Sequence, residues 1–246
     1  MSRRIALISD ANVHVGPDLA RVLAARGHDL VLGDPADGLV TELGEAGTAV
    51  ETVTGVDDLA DPAAIARLLQ AARDRFGRVD AACLRTGRII GGPLSKASLD
   101  DLHALSRHNI EAVFHILQAV VPVMLAQGGG QIVIVTSATG AKPAPQAALY
   151  SATRAAANML VKNAALEVAS KGVTINAVGT NFLDYPGFIA ANGAADPEIR
   201  ARLERRVPIG RLGTTTEVAH FCAALLDGHN RFQTGQFFSL SGGWSD

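Results

Sequence analysis

The sequence predicts an α/β fold in a single domain, a doubly wound parallel sheet flanked by helices. Three observations carry this. Short apolar, β-branched runs alternate with segments of helical periodicity along the whole chain, the pattern of strands joined by crossover helices. The 246 residues, 48% hydrophobic, suffice for one well-filled core. No Pro/Gly/Ser-rich linker divides them, so the domain is read as residues 1–246.

Ile5 to Ser9 reads as a buried first strand, and Asp18 to Arg26 as the helix after it, stopped by Gly27. Leu30 to Leu32 is a second strand ending at Asp34, and Val50 to Val53 a third, followed by Asp58. The next helix, Asp61 to Phe76, has an N-cap Asp, Pro62 at its first position, and Ile65, Leu68, Leu69, Ala72 and Phe76 on one face. Val79 to Leu84 is a fourth strand, and a long helical pattern runs from Leu99 to Gln127. Ile132 to Thr136 is a continuous apolar run suited to a strand covered on both faces. After a loop with Pro143 and Pro145, an Ala-rich helix spans Ala147 to Ser170. Thr174 to Ala177 is the sixth strand, and residues 184–206 read as a lid with a short helix. PIGRLGTTTEVAHFCAALL and TGQFFSLSGGWSD supply a last helix and a last strand.

A net charge of −2 without a basic stripe argues against a nucleic-acid partner and for a small molecule. Cys83 and Cys222, both among apolar residues, read as reduced core thiols of a cytoplasmic protein. The start, MSRRIALISD, is broken by Asp10 too early for a signal peptide, and no apolar segment is expected to span a membrane. The seven histidines show no metal-ligand spacing, and no internal repeat occurs.

Chemistry concentrates where the fifth strand meets the next helix. Ser137 stands at the strand's carboxyl end, where open α/β sheets bind ligands. Tyr150 and Arg154, four residues apart on a helix, share a face. A fixed cation beside a phenol favours the phenolate, which makes Tyr150 a candidate general base.

Ser137 followed by Tyr150-x-x-x-Arg154 resembles the short-chain dehydrogenase/reductase family, with a Rossmann-like sheet, except that arginine stands where the reductases have lysine. Arginine is a poor substitute for the lysine's contact with the nicotinamide ribose. Within the superfamily the pattern is similar to the halohydrin dehalogenases, a cofactor-independent branch. The turn SDANVHVG departs from the reductases' Thr-Gly-x-x-x-Gly-x-Gly, with Asp10 and His14 at two glycine positions and only Gly16 kept. It resembles the dehalogenases' Thr-x-x-x-x-aromatic-x-Gly, with Ser9 for the Thr and His14 for the aromatic residue. The segment LRTG keeps only Gly87 of the reductases' Asn-Asn-Ala-Gly, and Thr86 or a neighbour is left to orient Arg154.

The dehalogenase resemblance implies a carbon–halogen lyase, a halohydrin dehalogenase closing vicinal haloalcohols to epoxides and, in reverse, opening epoxides with azide, cyanide or nitrite. Ser137 would hold the substrate hydroxyl and Tyr150, beside Arg154, would take its proton. Ser9, His14, Thr180, Asn181, Phe182 and Leu183 would take the halide, partly on unpaired turn amides. Tyr185, Phe188 and Ile189 would wall the substrate. The same resemblance implies no cofactor and no metal, and the Ala-rich face of Ala152, Ala155, Ala156 and Ala164 implies a homotetramer. Asp34, Asp58 and Asn109 favour an alternative, an NAD(P)-dependent short-chain oxidoreductase with arginine in the lysine position. Asn109 itself reads as structural. A third class, a non-catalytic Rossmann-like protein, accounts for the lost glycines but not for Ser137 and Tyr150 in register.

Overall fold

The computed structural model describes residues 3–245, so Met1 and Ser2 of the basic start and Asp246 of the tail lie outside it. The chain runs β1 (Arg4–Ile8), α1 (Gly16–Ala25), β2 (His28–Gly33), α2 (Leu39–Glu45), β3 (Val50–Val53), α3 (Pro62–Phe76) and β4 (Ala81–Arg85). It continues with α4 (Leu99–Ser106), α5 (Ala112–Ala126), β5 (Gly130–Ser137), α6 (Ala148–Val168) and β6 (Val173–Thr180). The last part holds β7 (Leu183–Asp184), α7 (Pro186–Asn192), α8 (Pro197–Glu204), β8 (Gly213–Thr214), α9 (Thr215–Leu226) and β9 (Phe237–Leu240). Seven strands form one sheet in the order β3-β2-β1-β4-β5-β6-β9, all neighbours parallel. The expected single-domain, doubly wound architecture is therefore observed.

Both sheet faces are covered, which is why the strands read as unbroken apolar runs. One core layer joins Leu7, Leu84, Ile132 and Ile134 to α3, α5 and α6. The other joins Ile8, Leu32, Val133 and Val135 to α1, α2 and α9. Strand order reverses between β1 and β4, so the crevice at a doubly wound sheet's switch point opens over their carboxyl ends. Next to it, all eight residues of β5 are buried, and the last of them is Ser137.

Three sequence expectations need correction. The sixth strand does not stop at Ala177, because register with β5 continues to the pair Ser137 and Thr180, and β9 supports it on the other side. The helix from Leu99 is not uniform: residues 107–111 form one π turn between α4 and α5, bringing Asn109 to full burial. Finally, the combined helix Leu99–Ala126 is long and apolar enough to cross a membrane by length and composition, contrary to expectation. Part of its apolarity serves the core, since Val113, Ile116, Val120 and Met124 are completely buried against the sheet layer.

Cys83 on β4 and Cys222 on α9 are both buried free thiols, and the Cys222 sulfur together with burial pushes the Cys83 thiol well above its usual range. Among the described residues no group of three or more His, Cys, Asp or Glu is placed to hold a metal.

Candidate active site

Ser137, Tyr150 and Arg154 meet on one cleft of about 330 Å³ at the carboxyl edge of the sheet. Tyr150 lies in the first turn of α6 and Arg154 one turn later, so the helix carries both back toward the end of β5. Both are buried, with Arg154 only 4% exposed. The Arg154 guanidinium carbon sits 5.2 Å from the centre of the Tyr150 ring. Ser137 Oγ lies 2.9 Å from Thr139 Oγ1 and also accepts the Thr139 amide at 3.3 Å, which fixes its rotamer.

Among the described residues, no carboxylate orients Arg154. Its Nη2 donates to the Thr86 carbonyl at 2.8 Å and its Nη1 to Thr86 Oγ1 at 3.3 Å, while its Nε–H finds no acceptor. The guanidinium packs against Gly87, whose φ is +121°, and a Cβ there would fall inside it. Asn109 steadies this segment from behind, accepting the Arg88 amide at 2.9 Å and donating to Thr153 Oγ1 at 2.9 Å. Its side chain thus has the structural role expected of it. Gly87 is the positioning residue that sequence reasoning missed. Its signal was present, as the one glycine kept in LRTG.

The turn after β1 crosses the cleft. His14 takes a left-handed φ of +56°, stands edge-on to Tyr185 with ring centres 4.8 Å apart, and places Nε2 3.3 Å from Thr180 Oγ1. Burial, and then the charges of Arg85 and Arg154, lower its pKa to about 3, so the ring is neutral near neutral pH. Arg85, at the end of β4, reaches across to Asp10 with Nε 2.7 Å from Oδ2.

A histidine held neutral in the fold makes a stability prediction. The unfolded side chain titrates near 6.5 and the folded one near 3, so between these values the unfolded chain binds the extra proton. Stability therefore falls as pH drops through that window. His14→Asn, with a residue that tolerates left-handed φ, is expected to flatten the decline in urea midpoint over the same range. A residual slope from His28, whose pKa is also lowered by burial, remains. A decline as steep as the parent's would refute this account.

Of the other residues singled out from sequence, His14, Thr180, Asn181, Phe182, Leu183, Tyr185 and Phe188 line the cleft with Ser137, Tyr150 and Arg154. Ser9 and Ile189 do not. Ser9 is 1% exposed and its Oγ accepts the Arg85 amide at 3.1 Å, so it braces β4. Ile189 faces the small core under the lid with Phe182, Leu203 and Trp244. The turn amides expected to bind halide are not free at two positions. Asn181 N–H donates to the Leu240 carbonyl at 3.4 Å, and Phe182 N–H to Asn181 Oδ1 at 2.9 Å. Residues 184–206, expected as a lid, hold α7 and α8, and Ala191 and Asn192 of α7 line the cleft.

A family model described as enoyl-(acyl carrier protein) reductase matches residues 13–245. The chain belongs to the short-chain dehydrogenase/reductase superfamily. Among superfamily relatives, a 3-oxoacyl-[acyl-carrier-protein] reductase of Staphylococcus epidermidis is 29% identical, covering 97% of each chain. A solved gluconate 5-dehydrogenase from Burkholderia cenocepacia, in complex with NADP and tartrate, is 29% identical with a TM-score of 0.87, covering 99% of this chain and 96% of that one. A solved levodione reductase is 26% identical with a TM-score of 0.86, covering 98% and 96%. These superfamily members are named for reduction or dehydrogenation. They overturn the expectation of a carbon–halogen lyase that converts haloalcohols to epoxides, and they favour the oxidoreductase alternative.

Proposed function

We propose that the chain is an oxidoreductase of small alcohols and carbonyl compounds. The observation that carries the reading is the Ser137 and Tyr150 pair on one cleft at the end of β5, in a chain similar over nearly its whole length to named reductases. Ser137 holds the substrate oxygen by a hydrogen bond. Tyr150 moves the proton at that oxygen, giving it to a developing alkoxide or taking it from an alcohol. Arg154, over the Tyr150 ring and tied to Thr86, sets the charge around that transfer. The lid excludes water from the site.

The family's nicotinamide dinucleotide does not fit the cleft with these side chains where they stand. His14 fills the place where a glycine admits the pyrophosphate, and bonds across to Thr180. The Asp10 to Arg85 pair crosses the same crevice. At the adenosine end, both Asp34 carboxylate oxygens already accept loop amides, from Gly55 at 2.6 Å and Val56 at 2.8 Å. The oxidoreductase reading therefore requires these contacts to open. The two crossings favour a second reading, a superfamily member that retains the pocket as a binding site without catalysis.

One experiment separates them. NADH and NADPH are titrated into purified protein by fluorescence, and nicotinamide consumption is followed with a panel of small ketones and diones. Saturable binding together with ketone-dependent consumption supports the oxidoreductase. Neither binding nor consumption would leave the non-catalytic reading in its place. We place the protein in the cytoplasm, consistent with its two free buried thiols, and as a homotetramer, consistent with Phe114 on α5 and Met159 and Leu166 on α6 being exposed.

A further inference from the structure

We infer that the cleft takes a substrate bearing a carboxylate, and that Arg154 is the group that seats it. This names a substrate class for the oxidoreductase reading and rests on that reading for the chemistry, but not for the binding.

Among the described residues, no carboxylate pairs with the Arg154 guanidinium, whose hydrogen bonds go to Thr86. Arg154 is 4% exposed and lines the cleft. Of its five N–H donors, two nitrogens are engaged, both by Thr86, and Nε meets no acceptor. The residues lining the cleft include no Asp or Glu. Asp10, on the turn after β1, is already paired with the second arginine, Arg85.

A buried guanidinium without an anion is costly, and an ionised partner with matching geometry offsets that cost. A carboxylate is such a partner, because its two oxygens match the planar donor fork. Burial first, and then the charges of Arg85 and Arg154, keep His14 neutral, so it adds no positive charge of its own. Asn181 and Thr180, which also line the cleft, add polar groups for a small oxygen-rich ligand. A 2-hydroxy or 2-oxo acid carries its reacting oxygen on the carbon next to the carboxylate. It therefore presents one group to Arg154 and the other to Ser137 and Tyr150 in the same cleft. A neutral ketone leaves Arg154 uncompensated.

The test uses lactate and its uncharged amide, lactamide, titrated calorimetrically into the purified protein without nicotinamide. Lactate is expected to bind about tenfold more tightly than lactamide or better, the worth of one hydrogen-bonded charge pair. Arg154→Met is expected to erase the preference, and Arg154→Lys to keep part of it. Equal affinity for acid and amide, no binding of lactate, or a preference that survives Arg154→Met each overturn the inference. The comparison of acid with amide in the parent protein decides the matter even where a variant does not fold. Because no nicotinamide is present, failure here is distinct from failure of the oxidoreductase reading, which shows as absent ketone turnover.

Discussion

Gly87→Ala is expected to lower turnover by roughly a hundredfold or more, the scale of losing a positioned acid–base pair, while the sheet stays folded. The Gly87 φ of +121° is one that L side chains rarely adopt, and a Cβ there would occupy the space of the Arg154 guanidinium. Arg154 would leave Thr86 and the Tyr150 ring together, since both contacts depend on the same guanidinium position. Gly91→Ala is the control, because a Cβ at Gly91 makes only ordinary contact with the Gln146 carbonyl. The variants are compared by kcat on the ketone that the parent turns over, with circular dichroism reporting the fold. Parental kcat in Gly87→Ala would show that Arg154 does not need its present seat.

Tyr150→Phe is expected to cost about 10²- to 10⁴-fold in kcat, the range for removing a general acid–base group. The ring that packs under Arg154 remains, so the melting temperature should change little. The loss should fall on kcat rather than on KM, because Ser137 still binds the substrate oxygen. A phenylalanine variant with parental kcat would eliminate Tyr150 as the proton carrier.

Much of this molecule could be read locally. Strands such as β5 are buried on both faces, so their composition alone marks them, and Ser137, Tyr150 and Arg154 fall within one strand, one loop and the start of one helix. The end of β6 was harder to read, because Gly179 interrupts the strand-forming Val178 and Thr180, and register with β5 and β9 holds the segment. The bridges that shape the cleft were also hidden. Arg85 and Asp10 are 75 positions apart, and His14 and Thr180 are 166 apart, and nothing local to any of them announces its partner. The dehalogenase expectation rested on one turn, one arginine and the loop after the sixth strand, while similarity spread along nearly the whole chain points to reductases. Local chemistry correctly marked the departures from the reductase pattern, but it could not weigh them against the rest of the sequence.

Asp34 bears on how this protein can be redesigned. An acidic residue at the end of a second strand is the usual lever for choosing between dinucleotides that differ by one phosphate. Here the lever is fastened to the frame: the carboxylate ties the end of β2 to the Gly55–Val56 turn, from a backbone at φ +43°. Altering it would loosen the edge of the sheet before it changed any preference among ligands. Selectivity in this chain has to be engineered from the other end of the crevice, where Arg85 and His14 line the cleft.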